Sequence, residues 1–208
     1  MTAMIRLLLM LLVLPFAPAG CTALSALGEA SQPLDVYELR TPEVPRSGAR
    51  RNVELIVEEP IASGALAVER IMIRPSPLQV QYLPGARWAD PAPIMLQTLM
   101  VRSLTQTGAF NSVGRGPIGT VADYAVLSEL TDFQAETDDD GETAVIRVRA
   151  VLRLIRESDT KAVASQTFSV TVNTGPADTD AIVAAFDAAI SRLIPDVVSW
   201  IIRSTSRS

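Results

Sequence analysis

The segment Thr143–Arg156 constrains the fold most, because apolar and charged residues alternate along it. Its apolar positions are Ile146, Val148, Ala150, Leu152 and Leu154. Three of the intervening positions are Arg147, Arg149 and Arg153. Successive side chains of a β-strand point to opposite faces, so this pattern predicts a strand with one buried and one solvated face. A one-residue slip would bury the arginines, and the register of the strand is therefore expected to be firmly fixed.

Other runs of alternating or β-branched residues predict six further strands. They are Val36–Leu39, Val53–Glu58, Arg70–Arg74, Gln79–Leu83, Tyr124–Gln134 and Lys161–Asn173. Pro75-Ser76-Pro77 should join two of these strands as a hairpin, and Asp138-Asp139-Asp140-Gly141 should form the turn before Thr143. An acidic run of this kind can suggest calcium, but it lacks the alternating oxygen ligands and distant Glu of an EF-hand, which favours a solvated hairpin tip.

Two helices are expected from the spacing of apolar residues. The first should run from Ala92 to about Thr107, with Asp90 as its N-cap, Pro91 at its first position and Gly108 at its end. The second should begin near Asp178 or Thr179 and run to about Ser204, with Pro195 kinking or splitting it. The apolar stripe of the first is Leu96, Leu99, Met100 and Leu104. The stripe of the second is Ile182, Phe186, Ile190, Leu193, Val197 and Ile201.

The order of these elements predicts the fold class. Strands, a helix, three strands and a second helix indicate an α+β fold, with one mostly antiparallel sheet and two helices packed on one face as a two-layer sandwich. The 208 residues are 48% apolar, which is typical of a globular protein and suits a single domain.

Composition also excludes several functional classes. The chain has no histidine, which removes His-dependent triads and His-liganded zinc sites. A single cysteine excludes an intramolecular disulfide and any CxxC motif. The net charge of −5 makes nucleic-acid binding a poor expectation. No catalytic residue, metal site or cofactor is predicted, and the chain is not expected to be an enzyme. A hydrolase using Ser or Asp alone remains a minor alternative, because no Gly-x-Ser-x-Gly elbow is present.

The N-terminus predicts export. Residues 7–19 are uncharged and mostly Leu, and they follow Arg6. This run is shorter than the ~20 residues of a spanning helix and has the length of a signal-peptide hydrophobic region. Small residues then lead into Cys21, the only cysteine of the chain.

Ala19-Gly20-Cys21 resembles a bacterial lipobox, although Pro18 stands where Leu is usual. The resemblance implies that Cys21 is the site of lipidation; the alternative is an ordinary secretory signal with a coincidental cysteine. Residues 1–20 would then be a lipoprotein signal peptide, 21–34 the lipidated N-terminus and tether, and 35–208 a single periplasmic domain. Thr22, rather than Asp, follows the cysteine, which favours the periplasmic side of the outer membrane.

Two features are candidate partner contacts. The arginine row Arg147, Arg149 and Arg153 could hold a phosphate headgroup or an acidic partner. The alternative is a solvated face whose arginines pair with nearby Asp and Glu. The stretch from Tyr82 to Pro91, which includes Arg87 and Trp88, suggests a fixed turn leading into the first helix. Trp88 could be a lid on the core or an exposed aromatic in a protein contact.

These last residues carry a family resemblance. Several segments in order resemble the core signature of the ABC-type transport auxiliary lipoprotein family (PqiC-like proteins). They are Arg70-Ile71-Met72-Ile73-Arg74, Tyr82-Leu83, Ala86-Arg87-Trp88-Ala89-Asp90-Pro91, then Leu99, Leu104 and the stretch from Phe110 to Val113. The lipobox, the length and the start at Tyr37-Glu38-Leu39 fit as well.

The resemblance implies a partner set. Such proteins accompany an ABC permease, its ATPase and a periplasmic MCE-domain protein in moving lipids between the two membranes. It implies a non-enzymatic lipoprotein that tethers or docks the MCE assembly at the outer membrane, as a possible homo-oligomer. An outer-membrane assembly or secretion accessory lipoprotein with the same kind of domain is the alternative.

Overall fold

The structure, a computed structural model, describes residues 33–116, 122–138 and 140–206. Residues Asp35–Ser208 form one compact unit. The predicted signal peptide, Cys21 and the tether up to residue 32 lie outside the described residues.

The compact unit contains nine strands and two helices in its described residues. The strands are β1 (Asp35–Tyr37), β2 (Glu54–Val57), β3 (Ile61–Ala62), β4 (Arg70–Ser76), β5 (Gln79–Trp88), β6 (Ser112–Arg115), β7 (Tyr124–Thr137), β8 (Thr143–Arg156) and β9 (Lys161–Pro176). The helices are α1 (Ala92–Thr107) and α2 (Thr179–Ser204).

Strand β7 lies at the centre of the sheet. One of its edges pairs antiparallel with β8 along the whole strand, and β8 pairs antiparallel with β9. Its other edge pairs in parallel with β2, β3 and β4 in turn. Strand β5 pairs antiparallel with β4, while β1 and β6 join β5 and β2 in parallel. Because the long ladders are the antiparallel ones, the predicted α+β fold with a mostly antiparallel sheet is confirmed.

The helices and the inner face of the sheet share one core. All six residues of the predicted α2 stripe and all four of the α1 stripe are buried. The predicted inner face of β8 is buried as well, from Ile146 to Leu154 at alternate positions, and the three arginines point to the other face. An isolated helix of either length is marginal in water, so burial against the sheet supplies most of its stability.

Two predicted features of the helices are confirmed, and two differ. Asp178 caps α2 by accepting the Ala181 N–H at 2.9 Å, and Gly108 ends α1 at a left-handed φ of 64°. Asp90, however, is not the N-cap of α1: Pro91 occupies that position, and no side chain caps the helix. Pro195 does not split α2, because the buried residues on both sides of it hold the helix continuous.

The stretch before α1 is strand rather than the predicted turn. Tyr82 and Trp88 both belong to β5, and a bulge around Gly85, whose φ is 71°, interrupts its pairing with β4. Strands β3 and β6 were not predicted, since two and four residues carry no readable alternation.

Candidate partner-docking surface

Trp88, which lies in the stretch that carries the family resemblance, packs in the core. Trp88 is 1% exposed, and its ring meets Phe186 of α2 edge-on at 5.2 Å and Phe133 of β7 at 6.0 Å. The rings of Phe133 and Phe186 stack at 4.8 Å between centroids. Trp88 therefore joins β5, β7 and α2, and its side chain offers no surface to a partner, which corrects its inclusion among the candidate contacts.

Tyr82 and Arg87 make local contacts beside this cluster. The half-buried Tyr82 donates its hydroxyl to the carbonyl of Ala65 at 3.3 Å, and its ring lies 5.5 Å from the Arg70 guanidinium. Arg87 pairs with Glu69 at 2.6 Å. Both residues thus hold the segment before β4 against β5, although each keeps some exposed surface.

The three arginines of β8 differ in their surroundings. Arg147 makes a two-point contact with Glu136 of β7, with both N–O distances at 2.9 Å. Hydrogen bonds from Arg147 outweigh partial burial and hold the pKa of Glu136 below its usual value. Arg149 and Arg153 are exposed, and neither forms an ion pair with any residue that the structure describes. The row therefore splits into one paired and two available guanidinium groups.

Two exposed apolar side chains lie beside the available arginines. Leu127 stands directly opposite Arg153 in the ladder and is 41% exposed, and Ile61 of β3 is 75% exposed. Together with Ser128, Glu129, Val151 and Arg153 they line a cavity of about 120 Å³. We call Ile61, Leu127, Val151, Arg149 and Arg153 the outer sheet surface. Apolar side chains bordered by polar and charged groups are the usual composition of a protein-contact site.

Neither Ile61 nor Leu127 was predicted from the sequence to face solvent. An apolar residue in a strand normally indicates a position in the core. Only its place in the alternation of inward and outward positions could have indicated that it faces solvent. Leu127 shares its face with Glu129, which is the solvated face of β7. The sequence signal for its exposure was therefore one apolar residue at an alternate position of β7 that faces solvent.

A second polar cluster fixes the start of the domain to α2. Asp187 accepts the backbone N–H and Nε–H of Arg40, both at 3.0 Å, and is also in contact with Arg40 Nη2. Burial alone would raise the pKa of Asp187, but the hydrogen bonds and charge of Arg40 lower it below its usual value. Tyr37 donates its hydroxyl to Asp180 at 3.1 Å.

Within the described residues, no cluster of Cys, Asp or Glu is arranged to hold a metal ion. The same part of the chain contains no helix long and apolar enough to cross a membrane.

The family model described as ABC-type transport auxiliary lipoprotein component matches residues 37–198. The chain belongs to this family. The match to the auxiliary lipoprotein family includes the outer sheet surface, the Trp88 cluster and the Arg40–Asp187 contact.

Two individual proteins are similar to this chain over most of its length. A protein of Bradyrhizobium diazoefficiens is 28% identical over 190 residues, covering 88% of this auxiliary lipoprotein and 48% of the relative. The chain thus spans about half the length of that curated relative. A crystal structure of a protein from Xanthomonas campestris is 26% identical with a TM-score of 0.75, covering 83% of this chain and 97% of that one.

A second solved structure shows the fold alone, at 17% identity and a TM-score of 0.63. It covers 82% of this auxiliary lipoprotein and 99% of that chain.

We predict that Trp88→Ala lowers the free energy of unfolding by about 3–5 kcal/mol, because it removes a large aromatic side chain from a packed cluster. Chemical denaturation of the two proteins measures this loss. Arg149→Ala, on the solvated face, serves as the control and should change stability by less than about 0.5 kcal/mol. An unchanged Trp88→Ala midpoint would show that the cluster is not part of the core.

We predict an acid-sensitive contribution to stability from Asp187. Its pKa is lower in the folded chain than in the unfolded one, so its stabilising effect is present above the unfolded pKa and is lost as pH falls through the folded pKa. The difference in unfolding free energy between the wild type and Asp187→Asn should therefore be largest near pH ~7 and shrink toward pH ~3.

The control for this titration is Asp196→Asn, which alters an exposed carboxylate on the same helix. It should leave the pH profile of stability as in the wild type. A stability difference for Asp187→Asn that is independent of pH would contradict the assigned role of the Arg40 contact.

Proposed function

We propose that this chain is a non-enzymatic auxiliary component of an ABC/MCE-type system that transports lipid between the two membranes. The family match over residues 37–198 carries this proposal. The chain's work is tethering and positioning: the ABC permease and its ATPase supply the energy, and the MCE-domain protein bridges the periplasm.

In this proposal, Cys21 carries the acyl chains that hold the protein on the periplasmic side of the outer membrane. Two or more acyl chains give stable attachment, whereas a single chain binds only marginally and reversibly. The lipobox-like Ala19-Gly20-Cys21 supports this assignment.

The outer sheet surface is the proposed docking site for the MCE assembly. Its support is physical: Arg149 and Arg153 carry charges without an ion-pair partner in the described chain, and they flank exposed Leu127 and Ile61. Tyr82, Arg87 and the paired Arg147 are further proposed contacts, since each keeps some exposed surface. Copies of the chain would match the symmetry of the MCE partner as a homo-oligomer.

Replacing Cys21 tests the tethering role. In a strain lacking the wild-type gene, Cys21→Ala should move the protein from the outer-membrane fraction to the soluble fraction and fail to restore resistance to detergent. The reason is that the unanchored domain can fold but cannot hold its partner at the membrane. Fractionation with immunoblotting measures the location of the protein, and growth on detergent plates measures resistance.

The matched control is Thr22→Ala, which changes the neighbouring residue and should leave both location and resistance intact. Continued sedimentation of Cys21→Ala with the outer membrane would contradict the anchor. Full resistance from a soluble Cys21→Ala protein would contradict the tethering role.

A further inference from the structure

Strand β9 presents an open edge. It pairs only with β8, and no other strand in the described chain lies along its second edge. Between Ala164 and Asn173 its backbone makes no hydrogen bond outside the ladder with any described residue. The outward N–H and C=O groups of this stretch are therefore available to another strand.

This edge also lacks the usual protection against strand pairing. Natural edge strands carry charges, prolines or bulges that block a neighbour. In β9 the only charged residue is Lys161, at its first position, and the only proline is Pro176, at its last. The register shifts in its pairing with β8 lie near its two ends, so the stretch from Ala164 to Asn173 is regular. An unprotected edge of this length can pair with a strand of another chain.

Arginines on the outer face beside this edge favour a partner strand with negatively charged side chains. Arg153 stands opposite Ser165 and Arg149 stands opposite Ser169. Strands lie ~4.8 Å apart, so an extended arginine side chain on β8 can cross a serine on β9 and reach the next strand position. A carboxylate there would form a charge-assisted hydrogen bond with a guanidinium that has no ion-pair partner in the described chain.

The inner face beside the edge selects for apolar side chains. Phe168 packs against Trp200 of α2 at 5.7 Å, while Val170 and Val172 remain half-buried. A strand added to β9 would place its inward side chains next to these valines and bury them further. The two faces together specify alternating acidic and apolar residues.

We propose that the β9 edge takes up an extended acidic segment of a partner protein as a tenth strand. Two of its carboxylates, four residues apart, meet Arg149 and Arg153, and its apolar side chains cover Val170 and Val172. A second copy of this chain is a poor occupant, since β9 contains no Asp or Glu to meet the arginines. This inference rests on the proposed docking role and deepens it by giving the chemistry of a partner segment that the β9 edge and the two arginines of the outer sheet surface would receive.

The test uses the full-length protein in nonionic detergent and a fluorescein-labelled decapeptide in which valine and glutamate alternate. Fluorescence anisotropy should show that this peptide binds at least ~10-fold tighter than the same peptide with glutamine for glutamate. Amide hydrogen exchange within the stretch from Ala164 to Asn173 should slow on binding, because outward N–H groups become hydrogen-bonded.

Two variants separate recognition from folding. Arg149→Ser with Arg153→Ser should weaken binding by ~10-fold or more, whereas Arg192→Ser, which removes an exposed arginine on α2, should not. Ser165→Glu with Ser169→Glu should also abolish binding, because the new carboxylates pair with the arginines from within the sheet. The thermal midpoint of this second variant should be equal to or above that of the wild type.

Three results would overturn the inference. The glutamine peptide could bind as tightly, or a glutamate peptide N-methylated throughout its centre could bind equally well, which would leave no role for backbone pairing. A dimer with protected β9 amides in the absence of peptide would assign the edge to a second copy. Peptide binding is measured without any transport partner, so it can succeed where the proposed lipid-transport role fails, and the reverse.

Discussion

The ladder between β7 and β8 is the constraint on which the rest of the structure depends. It pairs residues from Tyr124–Arg156 at one end to Thr137–Ala144 at the other, and it sets which side chains face the helices. In this register the alternate residues of β8 from Ile146 to Leu154 reach the core, and Arg147, Arg149 and Arg153 lie on the opposite face. Both helices cover the inner face of the sheet. The outer face is therefore free to carry binding residues and need not form the core.

Specific polar contacts also attach the start of the domain to α2. The Tyr37 hydroxyl donates a hydrogen bond to Asp180, and Arg40 donates to Asp187 from both its backbone and its side chain. In the proposed role, force on the lipid anchor acts first on this N-terminal segment. The contacts with Asp180 and Asp187 transmit that force to α2, whose apolar stripe is buried. Surface ion pairs alone contribute little, but Asp187 is largely buried and holds several hydrogen bonds from Arg40 at once.

Long periodic elements were predictable from sequence, and short non-local ones were not. The stripes of α1 and α2 and the alternation of β8 repeat over many residues, so their buried faces follow directly. Strands β3 and β6 exist because β7 and β2 lie beside them, which no local pattern records. Nor could sequence separate Arg147 from Arg149 and Arg153, since Glu136 reaches the first only through the fold of the β7–β8 hairpin. Trp88 was ambiguous for the same reason, because its neighbours Phe133 and Phe186 are distant in the chain.

In the proposed function, the outer sheet surface, rather than the Trp88 cluster, docks the MCE partner. This docking is measured most directly by the amount of MCE-domain protein that co-purifies with the tagged chain from membranes after chemical cross-linking. The double variant Arg149→Ser with Arg153→Ser should reduce the captured MCE protein by ~10-fold or more, with an unchanged melting temperature, while Arg192→Ser captures the wild-type amount. Undiminished capture by the folded double variant, or capture of assembly or secretion components instead, would contradict the account.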